Sequence, residues 1–201
     1  MTAQPSDEDL LRRMVGGCAE SFAALYDRRQ AGVYRFALRM TGSEAFAEDV
    51  TQDVFLALMR EGNKFDAERG SVKSYLYGMA RHRVLRRLER ERAHIAIEED
   101  DGAPSEELPS AADDPFADLA REELVSLVRQ AVLTLPAHFR EVIVLCHLQE
   151  MNYAEACEVL ACPLGTVRSR LARARALLVG KLRALKGPAA GGRVVKAGQA
   201  I

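Results

Sequence analysis

Four closely spaced arginines, Arg168, Arg170, Arg173 and Arg175, are the side chains of this chain best suited to binding a polyanion. They sit in a stretch, residues 151–178, that reads MNYAEACEVLACPLGTVRSRLARARALL. From Gly165 to Lys186 there are seven basic residues and no acidic one. The apolar spacing predicts a short helix from about Tyr153 to Leu160 and a tight turn over Ala161-Cys162-Pro163-Leu164. A second helix then starts near Gly165 or Thr166, with Val167, Leu171, Ala174 and Leu178 as its buried seam and the arginines largely off it. Two short helices joined in this way make a helix-turn-helix. Its second helix fits the major groove of a DNA duplex and brings its first residues to the base edges. Flanking arginines neutralise phosphates and release counterions. An arginine that reaches guanine pairs bidentately and discriminates bases by about 1–3 kcal/mol. Small Ala172 and Ala176 let the backbone approach. A solvated Arg-rich helix in an ordinary bundle is the plainer alternative, but the turn, the purity of the charge and the preparatory helix favour DNA.

Other chemistry finds little support. Cys146-His147, Cys157 and Cys162 lack the paired spacing of a zinc site. Cys146 lies in the apolar run Val142-Ile143-Val144-Leu145 and reads as core. No Walker loop, Rossmann fingerprint or HExxH motif occurs, and the acidic clusters lack a paired catalytic setting. The expectation is a protein with no cofactor, no metal and no enzymatic activity of its own.

The elements that must carry these residues are helical. From Glu8 to Glu91 five apolar stripes recur at three- and four-residue spacing: Leu10, Leu11, Met14, Val15; Phe22, Leu25, Tyr26; Val33, Phe36, Ala37, Met40; Ala47, Val50, Val54, Phe55, Leu58; and Leu76, Met79, Ala80, Val84, Leu88. Thr41-Gly42-Ser43 separates the third stripe from the fourth, with Ser43 as a helix N-cap. Gly62 to Gly70 reads as a polar loop. The pattern fails from Ile97 to Leu119, where Asp100-Asp101-Gly102, Pro104, Pro109 and Asp113-Asp114-Pro115 interrupt it. Helical spacing resumes at Leu124, and Thr134-Leu135-Pro136 restarts a helix near its first turn. Net charge is −1 for the whole chain, yet the charge is segregated. Residues 93–123 hold 11 acidic residues and one basic, whereas residues 124–201 hold 11 basic and four acidic. The fold class expected is all-α, with two small helical domains, 8–92 and 122–186, joined by a flexible acidic linker over 93–121 and followed by a disordered tail over 187–201. No apolar run approaches the roughly 20 residues of a membrane span, and no signal-peptide core is seen at residues 1–13. A cytoplasmic protein without disulfides is expected.

With these elements placed, the segment LPAHFREVIVLCHLQEMNYAEACEVLACPLGTVRSRLARARALL resembles the fourth conserved region of bacterial RNA polymerase sigma factors. The likeness includes Leu135-Pro136, Phe139-Arg140-Glu141 and Gly165-Thr166-Val167-Arg168-Ser169-Arg170. The N-terminal half independently resembles the second conserved region, through Phe22-Ala23-Ala24-Leu25-Tyr26, Ala47-Glu48-Asp49-Val50-Thr51-Gln52-Asp53-Val54-Phe55 and Ser74-Tyr75-Leu76-Tyr77. The resemblance covers about residues 8–185. A linker in place of an intermediate domain is similar to the extracytoplasmic-function (ECF) group.

The resemblance implies a sigma region 2 bundle and a sigma region 4 helix-turn-helix that bind core RNA polymerase and promoter DNA. It implies that Asp49, Gln52 and Asp53 dock on the polymerase clamp, where composition alone suggests a solvated acidic face. It places recognition of the minus-ten element on the loop from Asn63 to Ser74 and the following helix. Lys64, Arg69, Lys73, Tyr75, Arg81, His82 and Arg83 are its residues, with a flipped base captured on cationic and aromatic surfaces. Phe65 and Tyr77 read equally well as core or as stacking platforms, and Arg83, Arg86, Arg87 and Arg90 suggest a phosphate-tracking face. Recognition of the minus-thirty-five element falls to Thr166, Arg168, Ser169, Arg170, Ala172 and Arg173. Tyr75, His82 and Arg86 depart from the family pattern, which usually has Trp, Asn and Asp there. The linker, with Glu98, Glu99, Asp100 and Asp101, reads either as a thread through the polymerase channels or as a solubilising spacer. An anti-sigma factor is the further partner implied. The competing readings are a polymerase-independent DNA-binding regulator, a nucleic-acid enzyme and a sigma mimic.

Overall fold

A computed structural model describes residues 4–95 and 117–185. Helices are the only regular elements among the described residues. Helix α1 (Asp7–Val15) starts at Ser6, whose hydroxyl accepts from the Asp9 amide, and its first turn is acidic, as the helix dipole favours. Asp7 is buried and ties α1 to α2 (Ala19–Thr41) by accepting from Arg28 at 2.7 Å and Arg29 at 2.5 Å. The second and third apolar stripes therefore fall on one continuous helix of 23 residues rather than on two. Between the stripes Arg29 faces Asp7, and Gly32 lies against Tyr77. An added Cβ at Gly32 would meet the Tyr77 hydroxyl at 2.7 Å. Gly32 thus marks a close approach and not a break.

Gly42 ends α2 in the left-handed region, at φ 77°. Ser43 then caps α3 (Glu44–Glu61) by accepting from the Phe46 amide. The expected polar loop contains two 3-10 turns, Gly62–Lys64 and Ala67–Arg69, before α4 (Val72–Ile95). Leu25, Val33, Phe36 and Met40 of α2 close a core with Val54 and Leu58 of α3 and Leu76, Ala80 and Val84 of α4.

The C-terminal half begins with α5 (Ala117–Leu133) and α6 (Ala137–Ile143), which follows Pro136 and runs into a π-helical turn over Val144–Leu148. Then come α7 (Tyr153–Leu160) and α8 (Leu164–Leu185). Val132, Val142, Val144 and Leu145 cluster there with Ala156, Val167 and Ala174. Helix α4 extends to Ile95 and α5 begins at Ala117, because Arg92-Ala93-His94-Ile95 and Ala117-Asp118-Leu119-Ala120 contain no glycine or proline to stop a helix. The remaining linker residues, 96–116, and the tail expected at 187–201 lie outside the described residues.

The two halves are packed on each other. Leu133 of α5 sits over Gly42, Arg39 donates to the Leu148 carbonyl, and Arg140 donates to the Met40 carbonyl. Buried apolar residues from both halves join in one cluster.

Candidate nucleic-acid interface

In the C-terminal half, Asn152 and Glu155 form a capping box at the start of α7. Ala161 ends that helix with φ 50°, and the Thr166 and Val167 amides donate to the Pro163 carbonyl across the turn. Helix α8 starts at Leu164, one residue before the earlier of the two expected positions, with Pro163 immediately ahead of its first turn. Val167, Leu171 and Ala174 are buried as the seam predicts. Arg168, Ser169, Ala172 and Arg173 are all exposed on the outward face, and Thr166 is half-buried at its edge. Arg170 differs from its neighbours. It is half-buried and reaches Glu141 of α6 at 3.4 Å. Arg175 donates to Nε2 of His147 at 3.0 Å. Burial, and then the Arg175 charge, push the His147 imidazole below its ordinary 6.5.

The N-terminal half presents a cavity of about 420 Å³ between the 62–70 loop and α4. Lys64, Arg69, Tyr75, His82 and Arg83 all line it, so five of the seven residues expected at the minus-ten site converge on one concavity. Phe65 and Tyr75 form its aromatic wall, with ring centroids 5.5 Å apart. Lys64 is steadied by Glu61 at 2.9 Å, and that hydrogen bond, reinforced by the lysine charge, holds the Glu61 carboxyl below its ordinary value. Tyr77 is core at 4 % exposure, packed edge-on against Phe36. Burial raises its hydroxyl pKa. Arg86 is exposed and is not part of this lining, and Arg87 lies over the Phe46 ring and pairs with Glu91.

Lys73 and Arg81 are not at the cavity. With Tyr77 they form a row at four-residue spacing on another face of α4, and each member bonds to the C-terminal half. Lys73 pairs with Glu155 at 3.0 Å, the Tyr77 hydroxyl donates to Gln149 at 3.0 Å, and Arg81 donates to Glu141 at 2.8 Å and 3.3 Å. In the packed arrangement these two residues face the C-terminal half instead of the cavity: their acidic partners lie 82 and 60 residues away in sequence and leave no local signal. Ser71 and Ser74, which also line the cavity, fall within the expected Asn63–Ser74 loop though neither was singled out, and sequence reasoning missed Glu158.

Asp49, Gln52 and Asp53 are exposed together on α3. The same outward stripe continues through Leu56 and Met59, which are 40 % and 57 % exposed, so the polar patch ends in an apolar one. Arg83 donates to the Asp53 carbonyl at 3.1 Å and links this stripe to the cavity wall. Cys18, Cys146, Cys157 and Cys162 are free, and no cluster of metal-binding side chains occurs among the described residues. Burial pushes the Cys146 and Cys157 thiols above their ordinary value, which disfavours the reactive thiolate. No described helix is long and apolar enough to cross a membrane.

Comparison with known proteins agrees with this geometry. Residues 25–94 match the family model of Sigma-70 region 2, and residues 126–178 match that of Sigma-70, region 4. The chain is 34 % identical over 164 residues to the ECF RNA polymerase sigma factor SigK of Mycolicibacterium vanbaalenii, covering 81 % of this chain and 82 % of the relative. It is 32 % identical over 176 residues to SigK of Mycobacterium tuberculosis, covering 85 % and 92 %. Among solved structures, CnrH in complex with the cytosolic domain of CnrY superposes with a TM-score of 0.67 at 27 % identity, covering 90 % of this chain and 99 % of that one. The sigma factor RpoE in complex with the anti-sigma factor NepR from Bartonella quintana has a TM-score of 0.62 at 21 % identity, covering 76 % and 91 %, and supports the fold. The cationic outward face of α8, the cavity on α4 and the exposed stripe of α3 are therefore borne on the two conserved regions of one family, and the chain belongs to the ECF RNA polymerase sigma factors, which direct transcription initiation from promoters.

Proposed function

We propose that the three surfaces divide the work of initiation among them. The α3 stripe of Asp49, Gln52 and Asp53, with Leu56 and Met59 as an apolar extension, docks on the polymerase clamp. The α4 cavity captures a base of the melted minus-ten element, with Phe65 and Tyr75 as stacking surfaces and Lys64, Arg69 and Arg83 as phosphate contacts. His82 hydrogen-bonds the captured base. Helix α8 enters the major groove of the minus-thirty-five element. Arg168 and Ser169 reach base edges there, the Ala172 methyl meets a thymine, Arg173 contacts phosphate and Thr166 lies at the groove margin. Arg170 positions α8 through Glu141 and reaches phosphate only if that contact yields. Lys73 and Arg81 join the DNA surface when the two halves part.

The observation that carries this reading is the convergence of five residues, scattered over 20 positions of sequence, on one cationic and aromatic cavity. The domain bounds proposed are 8–95 for the polymerase-docking and minus-ten half and 117–186 for the minus-thirty-five half. The chain performs no bond chemistry itself, acts in the cytoplasm, and takes a protein inhibitor of the anti-sigma type as a further partner, in keeping with the complex formed by CnrH.

The test is transcription from a promoter library by core polymerase with and without this chain. Transcripts that need both components support the proposal. Duplex binding without polymerase, together with no polymerase-dependent transcript, overturns it in favour of a free-standing DNA-binding regulator.

A further inference from the structure

We infer that His147 is a positioning residue for DNA binding: it holds Arg175 of α8 in place to grip a phosphate of the minus-thirty-five element. The inference rests on the assignment of α8 to the major groove. Arg175 lies seven residues beyond Arg168, two helical turns, so the two share an edge of α8 about 10 Å apart along its axis. A reading helix meets base edges with its first residues. An arginine two turns later on the same edge therefore stands over the groove wall, where the phosphates run. Arg175 is exposed, as that role requires.

The Nε of Arg175 donates to Nε2 of His147 at 3.0 Å. Among the described residues Arg168 and Arg173, exposed on the same helix, have no comparable tether. His147 comes from the π-helical turn that follows α6. There the Gln149 amide reaches back five residues to the Val144 carbonyl at 2.9 Å. Such turns are rare and recur at functional sites. This one buries Val144 and Leu145 and leaves His147 exposed beside α8.

The chemistry of the bond fixes what is left free. A guanidinium carries five N–H donors in a planar fork. With Nε engaged, Nη1 and Nη2 remain side by side, the pair that grips two phosphate oxygens. To accept at Nε2 the imidazole must be neutral, with its proton on Nδ1. Burial and then the Arg175 charge hold it below 6.5, so it is neutral at neutral pH. A tethered arginine loses less rotamer freedom on binding than a free one, and the difference appears as affinity. The charge itself is the same with or without the tether, so the number of counterions released does not change. Loss of His147 should therefore lower affinity and spare the salt slope.

The experiment measures binding of holoenzyme, assembled from core polymerase and this chain, to a labelled promoter duplex recovered from the library, over a range of salt. Arg175→Ala is expected to weaken binding about tenfold and to lower the salt slope by about one. His147→Leu is expected to weaken it about fivefold with the slope unchanged. His147→Gln, whose amide oxygen still accepts, should bind as the parent does, and Arg175→Lys, which has no fork, should not. In an Arg175→Ala background His147→Leu should have no further effect. Parent-like binding by His147→Leu overturns the positioning role. So does an equal loss from His147→Leu in the Arg175→Ala background, which would mark a purely structural residue. Arg168→Ala and Arg173→Ala separate this failure from that of the groove assignment. If they weaken binding while Arg175→Ala does not, the role of Arg175 alone is refuted. If they too leave binding unchanged, or no promoter needs this chain, both readings fall.

Discussion

Glu141 is a buried carboxylate at which the two halves meet. It is 1 % exposed, on a helix whose sequence gives no hint of a buried charge, and it accepts from Arg81 and Arg170 together. A carboxylate in that setting is tolerated only because two guanidiniums share it. Glu141→Ala leaves both arginines without that partner. The two are a quarter to a third exposed, so solvent recovers part of the loss. A destabilisation of about 1–3 kcal/mol is expected, measured by urea unfolding. Loss below the scatter of the measurement would show the site to be open to water. His147 makes a different prediction at the same scale. Its imidazole is held below 6.5 in the folded chain, so the unfolded chain binds the proton more readily. Stability from this group is complete above about pH 6.5 and is lost as pH falls through the lower folded value. His147→Gln should flatten that limb of the pH–stability curve, and an unaltered limb would rule the histidine out as its source. For DNA, Arg173→Ala is expected to lower the salt slope of duplex binding in holoenzyme by about one, as the loss of one phosphate contact requires.

At the scale of elements, α2 and α4 show how a face is chosen. An alanine in place of glycine inside an exposed helix ordinarily stabilises by about 1 kcal/mol. Gly32→Ala should do the opposite here, because its Cβ would displace the Tyr77 hydroxyl from a position 2.7 Å away and break its bond to Gln149. The expected outcome is a lower melting temperature together with faster exchange along the α4–α7 seam. A raised melting temperature would mean that the ring moves aside freely. The apolar stripes of α2, α3 and α4 were legible because burial of one helix face imposes a three- and four-residue period on the sequence. The polar faces carry no such rule. Lys73 and Tyr75 are two positions apart on α4, and only the fold decides that the first meets Glu155 while the second lines a cavity with Phe65. The continuity of α2 was likewise hidden, since Asp27-Arg28-Arg29-Gln30 reads as a polar gap until Asp7 is seen to bury against it.

At the scale of the whole molecule, the two halves share one apolar cluster and several hydrogen bonds, Arg39 to the Leu148 carbonyl among them. Burial is the main reason the Arg39 guanidinium pKa is lowered. The free chain is accordingly expected to unfold in one cooperative transition, whereas two-domain chains commonly unfold in steps. Arg39→Ala should divide that transition in two, read by calorimetry. A single unshifted transition in the variant would show that the bond contributes nothing to coupling.

Membership of the family, the helical class, the turn at Ala161–Pro163 and the outward arginines of α8 were determined by the amino-acid sequence alone. Each is written in local spacing, through helical periodicity, capping residues and short motifs whose partners lie within a few positions. The tertiary structure alone decided that α7 rests on α4, that Glu141 gathers an arginine from each half, and that Glu158 joins the lining of the α4 cavity. Those contacts join residues 29 to 87 positions apart on polar surfaces, where any of several charges satisfies solvent equally well and only packing selects the pair.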